Sequence, residues 1–320
     1  MFRRSFLQNT ASALAGSIFS LNQMPMKNSQ LDKIGIQLFS LPKYLDADFN
    51  AALTMLSEMG YRELELYGPF SFSADSAKNS WKAITSALGF SGSGLFGHTQ
   101  QATVEILKKL DLTVPALHTD LVTLQLHLGD LSRMCHVLGI EYVGIAAIPM
   151  ELRANLKAYE TIAHTFNQIG ENVRGEGLKF YYHNHGYGLQ KQEGQIPLDI
   201  IFHETDPDLV FFEMDIYWMT AGGADPIEYL EKYGDRYRLM HLKDMKELRR
   251  FSGDGGDPGQ WMELFPFMAS AGEGVLDLEG IIDKALRVGV EHFFVEQDMV
   301  ANPNVALKRS YDYLEKLSFS

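Results

Sequence analysis

Eight short apolar runs alternate with longer amphipathic stretches from Leu31 onward, and this alternation limits the possible folds more than any other feature. We predict that the runs are strands over Ile34–Ser40, Arg62–Tyr67, Val114–His118, Tyr142–Ala147, Leu178–His183, Leu209–Asp215, Arg238–Lys243 and His292–Gln297. We predict helices over Phe49–Met59, Thr99–Leu110, Leu124–Leu138, Asn155–Arg174, Leu198–Glu204, Asp225–Lys232, Leu278–Val288 and Asn304–Leu317. Continuously apolar strands separated by helices are typical of parallel sheets covered by helices. Eight such units predict a closed (β/α)8 TIM barrel, formed as a single domain over residues 31–320.

Two connections are much longer than the others, Pro69–His98 after the second strand and Met245–Gly274 after the seventh. Both follow strands, on the side of a barrel where active sites lie, so we expect lid or specificity loops. No GxGxxG motif follows the first strand, where Pro42 stands instead, which disfavours a dinucleotide-binding fold. SGDGGDPG in the second connection lacks EF-hand spacing and is interpreted as a flexible turn.

The first thirty residues resemble an export signal and linker. Arg3 and Arg4 precede Phe6 and Leu7, as in a twin-arginine motif, and a weakly apolar stretch over residues 11–21 follows. That stretch is too short to cross a bilayer. We therefore expect an exported, periplasmic protein with no stable membrane insertion once the signal is removed.

The charge balance restricts the class of ligand. A formal net charge of -13 disfavours nucleic acid, because phosphate-backbone binding needs clustered Lys and Arg. A small neutral sugar or keto-sugar, or a ligand bound through a metal, fits this charge better. Cys135 is the only cysteine, so a cysteine-based metal site is excluded and a buried thiol is expected.

Polar residues close six of the eight predicted strands. In a barrel such residues point into the top of a shared pocket. They are Glu65 on strand two, His118 on strand three, His183 and His185 on strand five, Asp215 on strand six, His241 and Lys243 on strand seven, and Glu296 on strand eight. Their convergence predicts a site, and the mixed histidine and carboxylate set of strands five to eight suits one divalent ion of Mn, Co, Zn or Fe.

Several motifs together resemble the sugar phosphate isomerase/epimerase family of xylose-isomerase-like TIM barrels. They are YYHNH (181–185), FFEMDIYW (211–218), HLKD (241–244), FFVEQD (293–298), GEGVLDLEGII (272–282) and GHTQQATVEILKKLDLTVPALHTDL (97–121). The resemblance covers nearly all of residues 31–318 and implies a single divalent metal held by the ends of strands five to eight. By position, the implied ligands are His183, Asp215, His241 and Glu296.

The resemblance also implies roles for other residues near the metal. His185 falls where many members present a substrate-binding histidine, and Lys243 is expected to bind a sugar oxygen or stabilise an enolate. Trp218 is a candidate ring for sugar stacking, with core packing as the alternative. Glu273 and Glu65 are candidate substrate contacts, and an exposed turn acid is the alternative for Glu273.

This chain departs from the family pattern in two places. Ketose epimerases of the group use a glutamate where His183 stands, paired with the strand-eight glutamate on opposite faces of the substrate. Relatives with YHNH also often carry a glutamate where this chain has Gly188. Glu296 is therefore the only catalytic carboxylate of the pair. The candidates for a second acid/base group are His118, His185, Glu65 and Lys243.

The implied chemistry is proton abstraction next to a carbonyl through a metal-stabilised enediolate. We expect a sugar isomerase or epimerase. The alternative at the same site is a lyase or dehydratase that eliminates a β-substituent from a keto-sugar, an inosose or a 3-keto-glycoside. A non-catalytic sugar-binding barrel is a weaker alternative, and the net charge disfavours a DNA-repair enzyme of the endonuclease IV type.

Overall fold

The computed structural model describes residues 30–319 and contains the predicted closed parallel barrel. Its strands follow each other in space as β1, β10, β7, β6, β5, β4, β3 and β2. The strand bounds are β1 Gly35–Gln37, β2 Glu63–Tyr67, β3 Thr113–Thr119, β4 Tyr142–Ile145, β5 Lys179–His183, β6 Val210–Asp215, β7 Tyr237–Leu242 and β10 His292–Val295. A small antiparallel pair, β8 Asp244–Met245 and β9 Met268–Ala269, lies outside the barrel. The fold prediction is confirmed, whereas the proposed export signal falls almost entirely outside the described residues.

Thirteen α-helices accompany the strands within the described residues. Their bounds are α1 Pro42–Ala47, α2 Phe49–Met59, α3 Asp75–Leu88, α4 Gln100–Leu110, α5 Leu121–Leu126, α6 Leu128–Leu138, α7 Leu156–Gly175, α8 Pro197–Glu204, α9 Ile216–Ala221, α10 Pro226–Tyr233, α11 Pro258–Leu264, α12 Leu278–Val288 and α13 Pro303–Leu314. The single helix predicted over Leu124–Leu138 is two helices, because His127 adopts a non-helical φ of -127° between them.

Glycines end several helices before the next strand, as their positions predict. Gly60 and Gly289 take left-handed conformations with φ of 114° and 97°, where a side chain would be strained. At each of them the backbone N–H returns to a carbonyl of the last helical turn. The chain can therefore reverse into the following strand within a few residues.

An apolar layer fills the barrel below its carboxyl-terminal end. It consists of Ala116, Tyr142, Tyr181, Leu239 and Phe294, all fully buried. A larger core lies between the strands and the surrounding helices and contains Cys135, a buried free thiol as expected. The barrel interior is thus filled at this level, and the site described below lies on its carboxyl-terminal side.

Both long connections contain a helix that the apolar periodicity did not reveal. α3 lies in the first and carries mostly polar residues, and α11 lies in the second. The second connection is anchored by its own small core, which consists of Tyr217, Trp218, Ala221, Met245, Phe251, Leu264 and Met268. Within SGDGGDPG, the Asp257 side chain accepts a hydrogen bond from Gly259 N at 2.7 Å and so begins α11. This connection is therefore a folded flap, not an open loop.

No helix among residues 30–319 is long and apolar enough to span a bilayer.

Candidate active site

Strands β5 and β6 are joined at their carboxyl ends by the asparagine of YYHNHGYG. Asp215 N donates to Asn184 Oδ1 at 3.1 Å, and Asn184 Nδ2 donates to the Asp215 carbonyl at 3.3 Å. The neighbouring His183 is 1% exposed and Asp215 is 0% exposed. These bonds hold the ends of the two strands, and with them two predicted metal ligands, in fixed positions.

An outer group of charged side chains lies at the mouth of the barrel and consists of Asp215, Lys243, Glu296 and Asp298. The Lys243 ammonium lies 2.9 Å from Asp215 Oδ2, 2.6 Å from Glu296 Oε2 and 2.9 Å from Asp298 Oδ2. Three carboxylates therefore surround one lysine, so the outer group carries excess negative charge. The other Asp215 oxygen, Oδ1, accepts from Trp218 N at 2.9 Å and caps α9.

An inner group lies one layer deeper and consists of Glu65, His118 and Glu213. Glu213 Oε2 lies 2.9 Å from His118 Nε2, and Glu65 Oε1 lies 3.4 Å from the same nitrogen. Glu65 also accepts from Tyr181 Oη at 2.5 Å and from Gln37 Nε2 at 2.6 Å. Both carboxylates are 0% exposed, whereas the side chain of His118 is 10% exposed.

His183 and His241 lie between the two groups and present one ring nitrogen to each. On the inner side, His183 Nδ1 lies 2.9 Å from Glu213 Oε2, and His241 Nε2 lies 2.6 Å from Glu65 Oε2. On the outer side, His183 Nε2 is 3.8 Å from Asp215 Oδ2, and His241 Nδ1 is 2.7 Å from Glu296 Oε2. The two histidines thus connect the inner and outer groups.

The carboxyls of this region differ in their proton affinity. Burial alone would raise the pKa of Glu65, but His118 and His241 lower it to about 2. Burial likewise opposes ionisation of Glu296, yet Lys243 and His241 hold its pKa well below the ordinary range. Burial and the nearby Glu296 charge raise the pKa of Asp298 to about 7. Of these three carboxyls, Glu65 and Glu296 are therefore the ones held most firmly in the ionised form.

Two sets of side chains could each hold a metal ion. One is His118, His183, Glu213 and His241, and the other is Asp215, His241 and Glu296. Three buried atoms in these sets, Glu213 Oε1, Asp215 Oδ2 and His241 Nδ1, have no hydrogen-bond partner of ordinary geometry. Imidazole nitrogens and carboxylate oxygens are suitable ligands for Mn, Co, Zn or Fe. The residues present therefore fit the divalent ion that the sequence implies.

His185 differs from the other site histidines because its side chain is half-buried and borders the flap. Its Nδ1 contacts the Ala146 carbonyl, and its ring stacks on Trp261 of α11 with centroids 4.6 Å apart and planes at 30°. Because a carbonyl can only accept, Nδ1 carries the hydrogen and Nε2 keeps a free lone pair. Burial and the Lys243 charge lower the pKa of His185 to about 4, which keeps the ring neutral near pH 7.

Two residues predicted as substrate contacts, Glu273 and Trp218, lie in different surroundings. Glu273 is exposed and pairs with Arg309, with Oε1 and Nη1 3.1 Å apart. Its Gly-Glu-Gly turn is held instead by Asp244, which accepts from Gly272 N and Gly274 N at 3.0 and 2.9 Å. Trp218 is 1% exposed and packs in the small core below the flap, and its ring also lies 5.2 Å from Lys243 Nζ and 6.1 Å from the His185 ring.

Glu65 and His118 also lie away from the position expected for substrate or acid/base groups. Glu65 is fully buried, and His118 is 8% exposed and directed towards Glu213 and Glu65. The structure brings the other candidates together at the strand ends, namely His183, His185, Asp215, His241, Lys243 and Glu296.

Sequence reasoning missed three residues of the site: Glu213, Asp298 and Trp261. Glu213 precedes Asp215 by two positions and Asp298 follows Glu296 by two. Residues two apart on a strand point to the same side, so alternation could have found Glu213 and drawn attention to Asp298. Trp261 lies in a flap helix whose position over His185 has no local signal in the sequence.

The chain belongs to the xylose isomerase-like TIM barrel family, whose model matches residues 53–317. It is an enzyme family, and the fold and strand-end site described above agree with the match.

Individual proteins with a similar sequence or a similar structure give a more specific comparison than the family model. The inosose dehydratase of Geobacillus kaustophilus is 29% identical over 168 residues, which are 50% of this chain and 53% of that protein. Curated relatives of this name are matched over 29% to 54% of their length. A sugar phosphate isomerase/epimerase structure from Parabacteroides distasonis covers 89% of this chain and 98% of its own at 21% identity, with a TM-score of 0.69. The structure of an IolI protein with a bound zinc atom covers 89% and 95% at 13% identity, with a TM-score of 0.60.

Proposed function

We propose that this chain is a metal-dependent lyase that acts on a sugar-like ketone. It removes the proton next to the carbonyl and expels an oxygen substituent from the β carbon. The names of the curated relatives, which are inosose dehydratases, support elimination. The observation that carries the proposal is the environment of His183, which stands where epimerases of the family have a catalytic glutamate.

His183 is not available as an acid/base group. Its Nδ1 is engaged by Glu213 at 2.9 Å, its Nε2 faces Asp215, and the ring is 1% exposed. Epimerisation by a symmetric pair needs one proton-carrying group on each face of the substrate. Elimination can be completed by a single group that takes the proton from carbon and returns it to the departing oxygen. A site that has lost one of two carboxylates is therefore better suited to elimination.

His185 is the residue that we assign to this proton transfer. Glu65 and His118 are paired in the inner group, with His118 Nε2 also engaged by Glu213, and Lys243 is held by three carboxylates. His185 alone among the four candidates combines partial exposure with a free ring nitrogen. With a pKa of about 4 it stays neutral, and a neutral imidazole can accept a proton at Nε2.

The reaction then proceeds in two balanced steps. His185 Nε2 takes the proton from the carbon next to the carbonyl, and the C–H electron pair moves to give an enolate. The Lys243 ammonium supplies positive charge near the developing oxyanion. The carbonyl then re-forms, the α,β double bond appears, and the C–O bond at the β carbon breaks. The departing oxygen takes the proton from His185, so the products are an enone and water or an alcohol.

The metal ion would be held by the nitrogens and carboxylates of the strand ends. When bound, it supplies Lewis-acid stabilisation of the oxygen charge, worth several kcal/mol. In the same site, Glu296 remains ionised and completes the excess of negative charge that attracts a cation.

The flap supplies a wall for a small ring-shaped substrate. Trp261 is half-buried, lies against His185 and donates from Nε1 to the Gly255 carbonyl at 2.7 Å, so its ring is fixed. An indole face suits the C–H surface of a sugar. Net charge -13 favours a neutral substrate, and we include inososes, keto-sugars and 3-keto-glycosides in the proposed class. Export to the periplasm through the twin-arginine-like N-terminus is also part of the proposal.

The test is incubation of the metal-loaded protein with a panel of ketoses, inososes and 3-keto-glycosides in D₂O, followed by NMR. We expect an enone together with water or a released alcohol from at least one keto-substrate. His185→Asn should suppress the product, and the matched surface change His203→Asn should not. Deuterium incorporation without loss of a substituent would overturn elimination in favour of isomerisation or epimerisation.

An isomerase or epimerase is the second candidate. It is favoured by the presence of two separate proton-carrying groups, His185 after β5 and Glu296 after β10. These groups come from different strands, so they can reach a substrate from different sides. The D₂O experiment separates the two functions.

A further inference from the structure

We propose that Glu213 and Glu65 are positioning residues that fix the ring orientation of His183 and His241. They would direct His183 Nε2 and His241 Nδ1 to the outer group, so that a metal ion binds there and not in the inner group. The inference rests on the metal centre of the proposed function but not on the reaction that the enzyme catalyses.

The first argument is the direction of the inner hydrogen bonds. A histidine that binds a metal ion through one ring nitrogen carries its N–H on the other, and a carboxylate beside that N–H orients the ring. The contacts of 2.9 Å from His183 Nδ1 to Glu213 Oε2 and 2.6 Å from His241 Nε2 to Glu65 Oε2 suit an N–H on the inner side of each ring. The opposite nitrogen of each ring is then the one left to bind an ion.

The second argument is what these nitrogens face. His183 Nε2 lies 3.8 Å from Asp215 Oδ2, and His241 Nδ1 lies 3.7 Å from the same oxygen and 2.7 Å from Glu296 Oε2. Imidazole nitrogens and carboxylate oxygens that converge in this way are suitable ligands for a divalent ion.

The third argument distinguishes the outer from the inner group. The inner carboxylates are 0% exposed, and Glu65 already accepts from Gln37 and Tyr181 as well as His241. Glu296 and Asp298 follow the last residue of β10, and Asp215 is the last residue of β6. Glu65 and Glu213 lie two residues before the ends of β2 and β6, so an ion in the outer group is the nearer one to a substrate that enters at the strand ends.

The direct experiment uses protein with ¹⁵N-labelled histidine, loaded with ¹¹³Cd²⁺ and observed by NMR without substrate. We expect one-bond ¹⁵N–¹¹³Cd coupling at His183 Nε2 and His241 Nδ1, and none at His118. Coupling at His183 Nδ1, His241 Nε2 and His118 Nε2 would place the ion in the inner group and overturn the inference. Because no turnover is needed, that result would leave the proposed reaction standing.

A second measurement tests the two carboxylates themselves. Loss of a residue that orients a metal-bound histidine typically weakens metal binding about 10- to 100-fold. We expect this loss in Glu213→Gln and in Glu65→Gln, measured as the Kd for Co²⁺ by calorimetry, with binding of one ion per chain retained. The matched control is Glu63→Gln, since Glu63 lies on the same strand as Glu65 and pairs with His292 at 2.8 Å instead.

Unchanged affinity in both variants, with circular dichroism like that of the wild type, would refute the positioning role. Complete loss of the bound ion in Glu213→Gln, with affinity retained in Asp215→Asn, would also refute it, because it would make Glu213 a ligand.

Discussion

The inner and outer groups contain the same kinds of side chain but differ in what surrounds them. Glu65 and Glu213 are fully buried and make short contacts to tyrosine, glutamine and histidine, so their charges are compensated by fixed partners. In the outer group, three carboxylates share one lysine at the mouth of the barrel. A network of compensated charges suits positioning, whereas excess negative charge at the strand ends suits binding of a cation and a substrate. The difference indicates that chemistry takes place in the outer group.

The largest effect on activity should come from an outer carboxylate. Glu296→Gln removes a candidate metal ligand and one partner of Lys243, and we expect kcat/KM to fall on the order of 10⁴-fold. Lys243 keeps Asp215 and Asp298 as partners, so the melting temperature should change little. Steady-state kinetics and thermal unfolding measure both quantities.

The matched control for this change is Glu291→Gln. Glu291 lies just before the same strand, at its other end, and accepts from Tyr142 Oη at 2.8 Å. Its replacement should leave kcat/KM within about twofold, since surface changes usually have small effects. If Glu291→Gln lowered kcat/KM as strongly as Glu296→Gln, the loss of activity would not be specific to the outer group, and the assignment of the chemistry to that group would be wrong.

A smaller loss is expected at His185, which borders the outer group without belonging to it. His185→Asn removes the proposed proton carrier, and we expect kcat to fall about 10²- to 10³-fold. Metal content, measured by elemental analysis, should stay at the wild-type value because His185 belongs to neither set of candidate ligands, although its ring lies 4.7 Å from that of His183. Loss of bound metal in this variant would mean that His185 is itself a ligand.

The smallest predicted effect on kinetics concerns the two tryptophans beside the site, Trp261 and Trp218. Trp261→Ala opens the flap wall and should raise KM about tenfold with little change in stability. Trp218→Ala creates a cavity around a side chain that is 1% exposed, and should cost about 3–5 kcal/mol in the free energy of unfolding. Denaturant unfolding and steady-state kinetics on both variants distinguish a substrate contact from a core residue. An unchanged KM in Trp261→Ala would remove the flap from the substrate pocket.

The alternation of apolar runs and helical stretches was sufficient to predict the barrel, because each βα unit carries its own periodicity. All eight barrel strands were found, and the polar residues that end them led to the outer group. The helices α3 and α11 were missed because few of their positions repeat as an apolar face.

Other parts of the site depend on contacts that no local pattern encodes. Glu273 was expected to contact substrate. In the structure, Asp244 accepts hydrogen bonds from the backbone of the Gly-Glu-Gly turn, and the Glu273 side chain points outward and pairs with Arg309. Trp261 reaches His185 only because the flap folds on its own small core. The contacts of His183 with Glu213 and of His241 with Glu65 likewise join residues that are far apart in the sequence, so no local pattern predicts them.

The division of roles between the two groups is tested most directly by calorimetric titration of Asp215→Asn and His118→Asn with Co²⁺ or Mn²⁺. Each variant removes one candidate ligand, the first from the outer group and the second from the inner group. We predict that Asp215→Asn loses specific metal binding. His118→Asn should still bind one ion per chain, with a Kd within about tenfold of the wild-type value. Retained binding in Asp215→Asn together with loss of binding in His118→Asn would contradict the account.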